Sequence, residues 1–279
     1  MSGGQQGASR NKKLEKARRD DSDNPLTLSK PEASLPEVQF SDEGPIRHLH
    51  LDSIWIQGSM DTRDPMKLVH EYIQRMMAWT LFVEPDTVAR RQALQLGLGA
   101  GSLTRFCAKV LRMKTTAIEL NPGVLHACRG WFQLPADTAR MKVILGDAAQ
   151  EIRKPDWFGT VDALQVDLYD QEAAAPVLDS PEFYADCRRL LTDDGCMTVN
   201  LFGRSSSFAK SVDRIAGVFG REAVWAFKAT REGNTVVLAQ REPSRPARAV
   251  LAERAEIIQT RWGLPAPKWL RGFKPVHEN

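Results

Sequence analysis

The chain has 279 residues, of which 42% are apolar and 26% charged. That is enough apolar material for one large domain, or one domain with a small appendage. No apolar run approaches the roughly 20 residues that span a bilayer, and the first thirty residues lack the apolar core of a signal peptide. The net charge of +3 is unevenly spread: residues 1–30 carry seven Lys/Arg against four Asp/Glu, residues 241–279 eight against four, and the stretch between them 23 against 27. Basic ends on an acidic body read as solvated tails, and no aromatic-interleaved basic patch argues for nucleic acid. Cys107, Cys128, Cys187 and Cys196 show no CxxC pairing. They read as buried thiols of a cytoplasmic protein, with neither a metal site nor a disulfide framework.

In chain order, residues 1–34 are polar and aperiodic and read as a disordered basic tail. Residues 35–62 alternate: "EVQF", a turn at "SDEGP", then "IRHLHLDSIWIQGS". That pattern predicts a small β-hairpin unit. In "DPMKLVHEYIQRMMAWTLFV", Leu68, Tyr72, Met76 and Trp79 lie at helical spacing, with Asp64 and Pro65 as cap and first turn. Strand candidates then recur at Ala93–Leu96, Thr115–Glu119, Lys142–Leu145, Ala163–Asp167 and Met197–Leu201. Helical stretches lie between them at Leu103–Leu111, Val124–Phe132, Ala148–Ile152 and Pro181–Leu191. Repeated βα units predict a doubly wound, mostly parallel sheet over residues 63–240. Residues 241–279 form a basic extension with one helical piece, "AVLAERAEIIQTRWG".

The informative residues fall at the carboxyl ends of the predicted strands, where open α/β sheets bind ligands. "LQLGLGAGSL" places Gly97, Gly99 and Gly101 after the first strand. Glu119 ends the second, Asp147 follows the third in "VILGDA", and Asp167 ends the fourth in "ALQVDLYD". Glycines let the backbone approach a ligand, and a helix N-terminus offers free N–H groups. Glu119 can accept bonds from two ribose hydroxyls and Asp147 one from an adenine amino group, which suggests an adenosine-containing cofactor. The loop reads G-L-G-A-G-S and not GxGxxG, so an S-adenosylmethionine-type transferase fold fits better than a dinucleotide-binding one.

From Ile46 to Gln240 the chain resembles the spermidine synthases, or polyamine aminopropyltransferases. "LHLDSIWIQGSMDTRDP" resembles the family's N-terminal β-unit with its Gln, here Gln57. "LGLGAGSLTR" resembles the glycine loop, "IELNPGV" the ribose-binding strand end and "VILGDA" the adenine-binding turn. "VDLYDQEAAAPVLDSPEFY" resembles the Asp-x-x-Asp gate, here Asp167 and Asp170, with its following helix. The resemblance implies a seven-stranded sheet, with Asp167 and Asp170 catalytic and Asp170 and Tyr72 holding substrate. It implies decarboxylated S-adenosylmethionine as donor, a small amine such as putrescine as acceptor, no metal, and assembly as homodimers or homotetramers.

Three features depart from the family pattern. Ala100 stands where the glycine loop carries an Asp that holds the donor's amino group. Gln171 to Ala174 replace Pro-x-Gly-Pro, and "HEY", His70 to Tyr72, is the nearest match to a Tyr-Gln-Glu signature. Two alternatives stay open: a methyltransferase using intact S-adenosylmethionine, whose carboxylate an acid at 100 would repel, and a non-catalytic nucleoside-binding homologue.

Overall fold

The computed structural model describes residues 35–169, 178–202 and 205–276, the side chains of 205–207 excepted. Asp170, the segment 171–174 and the N-terminal tail lie outside these residues.

The N-terminal unit is a three-stranded antiparallel sheet, not a single hairpin: β1 (Val38–Glu43), β2 (Ile46–Leu51) and β3 (Gly58–Asp61), in that spatial order. The apolar alternation runs on through "DSIWIQ", but Asp52 takes φ 45° and breaks the strand. The turn Gly44–Pro45 is shorter than the five residues expected, because Ser41, Asp42 and Glu43 still pair with β2.

The helix expected from Asp64 onward is also cut up. Its spacing is real, for Leu68, Met76 and Trp79 are all buried. The chain nevertheless delays until α1 (Glu71–Arg75), whose N-cap is His70, and then tightens into a 3-10 turn at Ala78–Phe82. Packing of the apolar residues, and not one continuous helix, satisfies the pattern. Asp64 and Pro65 cap nothing.

Among the described residues eight strands form the main sheet, one more than the resemblance implies. They are β4 (Gln92–Leu96), β5 (Lys114–Glu119), β6 (Met141–Leu145), β7 (Val161–Val166), β8 (Leu191–Phe202), β9 (Val224–Phe227), β10 (Asn234–Gln240) and β11 (Phe273–Pro275). Their order is β11-β9-β10-β8-β7-β4-β5-β6. β4 to β8 pair in parallel; β10 and β11 pair antiparallel to their neighbours. Order reverses between β4 and β7, and this is the switch point.

The helices between the strands are α2 (Ser102–Arg105), which widens into a π turn at Phe106–Val110, α3 (Pro122–Trp131), α4 (Ala148–Glu151), α5 (Pro181–Leu190) and α6 (Ser205–Phe219). Asn121 and Ser180 cap α3 and α5 through their side chains, so α3 starts at Pro122, two residues before the Val124 expected, and α5 at Pro181 as expected.

The C-terminal stretch is not a loose basic tail. It forms α7 (Arg248–Trp262), closed by Gly263 in a left-handed conformation, then α8 (Ala266–Trp269) and β11. Leu251, Ile258, Leu264, Trp269 and Phe273 join the core cluster that holds Met76, Trp79 and Phe106. The four cysteines are buried free thiols. Among the described residues, no helix is long and apolar enough to cross a membrane.

Candidate active site

One cleft of about 1020 Å³ opens at the carboxyl ends of β4, β5, β6 and β7, with the β2–β3 connection forming its opposite wall. Gln57, Tyr72, Gly97, Gly99, Glu119, Asp147 and Asp167 all line it. Residues spread over 110 positions of sequence thus meet because each ends a strand or borders one that does. Gly101 does not line the cleft. It is the N-cap of α2 at φ 71°, and a Cβ there would face Arg105 and Leu134.

Gly97 shows why the loop needs glycine. Its φ is 89°, and a Cβ would lie 2.3 Å from the Asp167 carbonyl oxygen. The first glycine therefore lets the loop after β4 press directly against the end of β7.

Glu119 is held from the backbone: Leu98 N–H donates to Oε2 at 3.0 Å and Asn121 N–H to Oε1 at 2.8 Å. Burial raises its pKa, opposed by these donors. A carboxylate has about four acceptor positions, so both oxygens can still accept from a ligand. Asp147 caps α4, its Oδ1 accepting from Ala149 N–H at 2.8 Å and its Oδ2 from Gln150 at 3.3 Å.

Asp167 stands at the centre of a polar network. Its Oδ1 accepts from Asn200 Nδ2 at 2.9 Å, and Tyr72 is hydrogen-bonded to the same carboxylate. Asn234 Nδ2 in turn donates to Asn200 Oδ1 at 3.1 Å. Tyr169 donates to the Asn200 carbonyl at 2.7 Å and accepts from Phe202 N–H at 2.6 Å. Burial pushes the Asp167 carboxyl up to about 6, held back by its two donors. It is a carboxylate poised near neutrality.

Sequence reasoning missed Asn200, Asn234, Tyr169 and Glu232 as cleft residues, and it noted His70 only as part of "HEY". Ala100 is absent from the lining. It is 3% exposed and packed against Gly58 of β3, where an added Cβ would come within 2.6 Å of the Ala100 nitrogen. Asp179 is structural: it receives Tyr184 Oη and Ser211 Oγ at 2.8 Å each and pairs with Arg214.

Fold and cleft together define a nucleoside-dependent transferase architecture, closed at one end by a small β-sheet. No protein-family model matches this sequence. The chain is 32% identical over 247 residues to the polyamine aminopropyltransferase of Chromobacterium violaceum, covering 88% of this chain and 92% of that protein. In structure it is similar to a probable spermidine synthase of Corynebacterium glutamicum, with a TM-score of 0.70 and 19% identity over 89% of this chain and 92% of the other. It also resembles a spermidine synthase in complex with the transition-state analogue AdoDATO, with a TM-score of 0.53 and 16% identity over 82% and 89% of the two chains. The chain belongs to the polyamine aminopropyltransferase family.

Proposed function

We propose that this protein moves an aminopropyl group from decarboxylated S-adenosylmethionine to a small amine such as putrescine. The observation that carries this reading is the charge of the cleft. Glu119, Asp147, Asp167 and Glu232 line it, and no Lys or Arg does among the described residues. A sulfonium donor and a diammonium acceptor are both cations, and an acidic cleft attracts both. The carboxylate of intact S-adenosylmethionine would find no cationic side chain there, so the methyltransferase alternative has no support from the described lining. The relatives named above are aminopropyltransferases, and one fold neighbour holds a transition-state analogue of the type this cleft would accommodate.

Each role follows from placement. Glu119 receives the ribose hydroxyls and Asp147 the adenine amino group, with Gly97 and Gly99 giving backbone access and Gln57 facing the nucleoside from the β2–β3 side. Asp167 takes a proton from the acceptor ammonium, which frees a nitrogen lone pair. That nitrogen attacks the propyl carbon next to sulfur. A C–N bond forms and the C–S bond breaks, its electron pair staying on sulfur as a neutral thioether. Tyr72 and Asn200 hold Asp167 in place, and Asp170 and Tyr72 bind the acceptor. Residues 35–62 serve as the β-unit that presents Gln57 to the nucleoside and 63–240 as the nucleoside-binding transferase body. Assembly as homodimers or homotetramers belongs to the same reading.

Asp167→Asn tests the assignment, because it keeps the shape and removes the base. Turnover of decarboxylated donor with putrescine should fall by roughly 10²–10⁴, with methylthioadenosine affinity by calorimetry within twofold of wild type. Retained turnover, or lost nucleoside binding, would refute the role.

A further inference from the structure

The N-terminal sheet carries a polar chain that aminopropyl transfer, as described above, does not use. His48 and Ser59 are directly opposite one another in the β2–β3 register. His48 Nδ1 lies 2.7 Å from Ser59 Oγ, and the same oxygen lies 2.7 Å from His70 Nε2. One buried hydroxyl therefore bridges two imidazoles. A hydroxyl has a single proton, so it donates to one ring and accepts from the other.

The two ends of the chain differ. At the outer end, His48 Nε2 is buried without a hydrogen-bond partner, and Glu43 Oε2 stands 3.6 Å from it on a side chain that is 90% exposed. At the inner end His70 lines the cleft, its ring stacked on Tyr72 at 5.9 Å. Tyr72 is the group bonded to Asp167. If His70 carries its proton on Nε2 and donates to Ser59, Ser59 donates to His48 Nδ1, and His48 Nε2–H points towards Glu43. His70 Nδ1 is then left as an acceptor for the cleft.

Resting on the aminopropyl-transfer reading, we propose that His70, Ser59 and His48 form a proton wire that connects the cleft to Glu43 at the surface. Each turnover must discharge one proton, because the acceptor enters as an ammonium and attacks as a free amine. Asp167 takes that proton first. An amine lodged beside Tyr72 borders both Asp167 and His70, and the proton passes to His70 Nδ1. His70 Nε2 gives its proton to Ser59 Oγ, Ser59 gives its own to His48 Nδ1, and His48 Nε2 releases one to Glu43 or the water around it. When products leave and the cleft fills with water, a proton returns along the chain to that water and restores the starting tautomers, so the wire holds the proton through the chemical step and the net proton of each turnover leaves with the cleft water. His70 suits this duty, since burial and the neighbouring His48 lower its pKa, against a smaller upward pull from Glu232. The other titratable neighbours of the chain are Asp42 and His50 beside His48, and Asp167 across Tyr72.

His48→Gln and Ser59→Ala test the wire with decarboxylated donor and putrescine. Both variants should lose about tenfold in kcat at pH 7.5, with both KM values within twofold of wild type. The deficit should close as pH approaches about 10, near the pKa of an alkylammonium, where the acceptor enters already neutral. A merely structural defect would not be relieved by pH. Unchanged kcat at pH 7.5, a deficit that persists at pH 10, or a rise confined to KM overturns the wire. Ser59→Ala removes one buried oxygen and leaves both rings, so it decides the matter should His48→Gln misfold. Wild-type turnover, measured alongside, separates the cases: its absence overturns the aminopropyl-transfer reading, and the wire with it.

Discussion

Asp167 carries a conflict between place and charge. Its carboxyl is pushed from 3.8 up to about 6 by burial, a shift worth about 3 kcal/mol at ~1.4 kcal/mol per unit. Because the folded pKa is the raised one, the stabilising contribution of the protonated form is full below about 3.8 and is lost as pH rises through about 6. At neutral pH the fold therefore tolerates a carboxylate it would rather protonate. Asp167→Asn should stabilise the protein by about 1–3 kcal/mol at pH 8, and the gain should shrink as pH falls to 5. Urea midpoints across that range check it, and a less stable variant at pH 8 would show that the hydrogen bonds from Asn200 and Tyr72 outweigh the burial. At this scale the sequence is only half legible. Glu119, Asp147 and Asp167 stand out because each follows an apolar strand. Asn200 reaches Asp167 through the parallel β7–β8 register, which sets Val199 beside Val166, while the antiparallel β8–β10 register, which sets Asn234 opposite Phe202, brings Asn234 and Glu232 to the cleft.

Between elements, the decisive contact is that of β3 with the glycine loop. Gly58 touches Ala100, and Ser102 Oγ donates to the Ser59 carbonyl at 2.9 Å. Beneath the loop, buried Arg105 donates to the carbonyls of Ala100, Phe132 and Pro65 at 2.6, 2.7 and 3.1 Å, so the loop is braced from both sides. Ala100 looks in sequence like the site that chooses the donor, but it occupies an inter-element contact. Ala100→Asp would bury a carboxylate against β3, and Gly58→Ala would drive a methyl into the Ala100 backbone. Both should cost about 2 kcal/mol or more, read as a lower denaturation midpoint. If Ala100→Asp folds as stably as wild type and tightens binding of the decarboxylated donor, the loop has room for an acid and Ala100 does choose the donor. Periodicity could not reveal this contact, because it reports which face is buried and not what lies against it. The same limit explains residues 64–82, where buried positions at helical spacing are served by a short α-helix and a 3-10 turn.

For the whole molecule, the C-terminal stretch completes the sheet. Phe273 of β11 stacks on Phe227 of β9 at 4.4 Å between ring centres, and Trp225 and Phe82 pack around it. Its charged composition hid this, since α7 turns Arg248, Glu253, Glu256 and Arg261 to solvent while it buries Leu251, Ala255 and Ile258. Removing residues 242–279 would uncover Trp225 and Phe227 and strip Leu251, Ile258 and Trp269 from the core, at about 1.5–3 kcal/mol each. The truncated chain should lose its cooperative melt by circular dichroism; a melt within a few degrees of the full chain would make the extension dispensable.

The central claim is that this assembled cleft takes two cations and joins them. Incubating the full chain with putrescine and, separately, decarboxylated or intact S-adenosylmethionine, then analysing products by mass spectrometry, tests it most directly. The prediction is methylthioadenosine and spermidine from the decarboxylated donor, and neither from the intact one. S-adenosylhomocysteine from the intact donor, or no product from either, would contradict it.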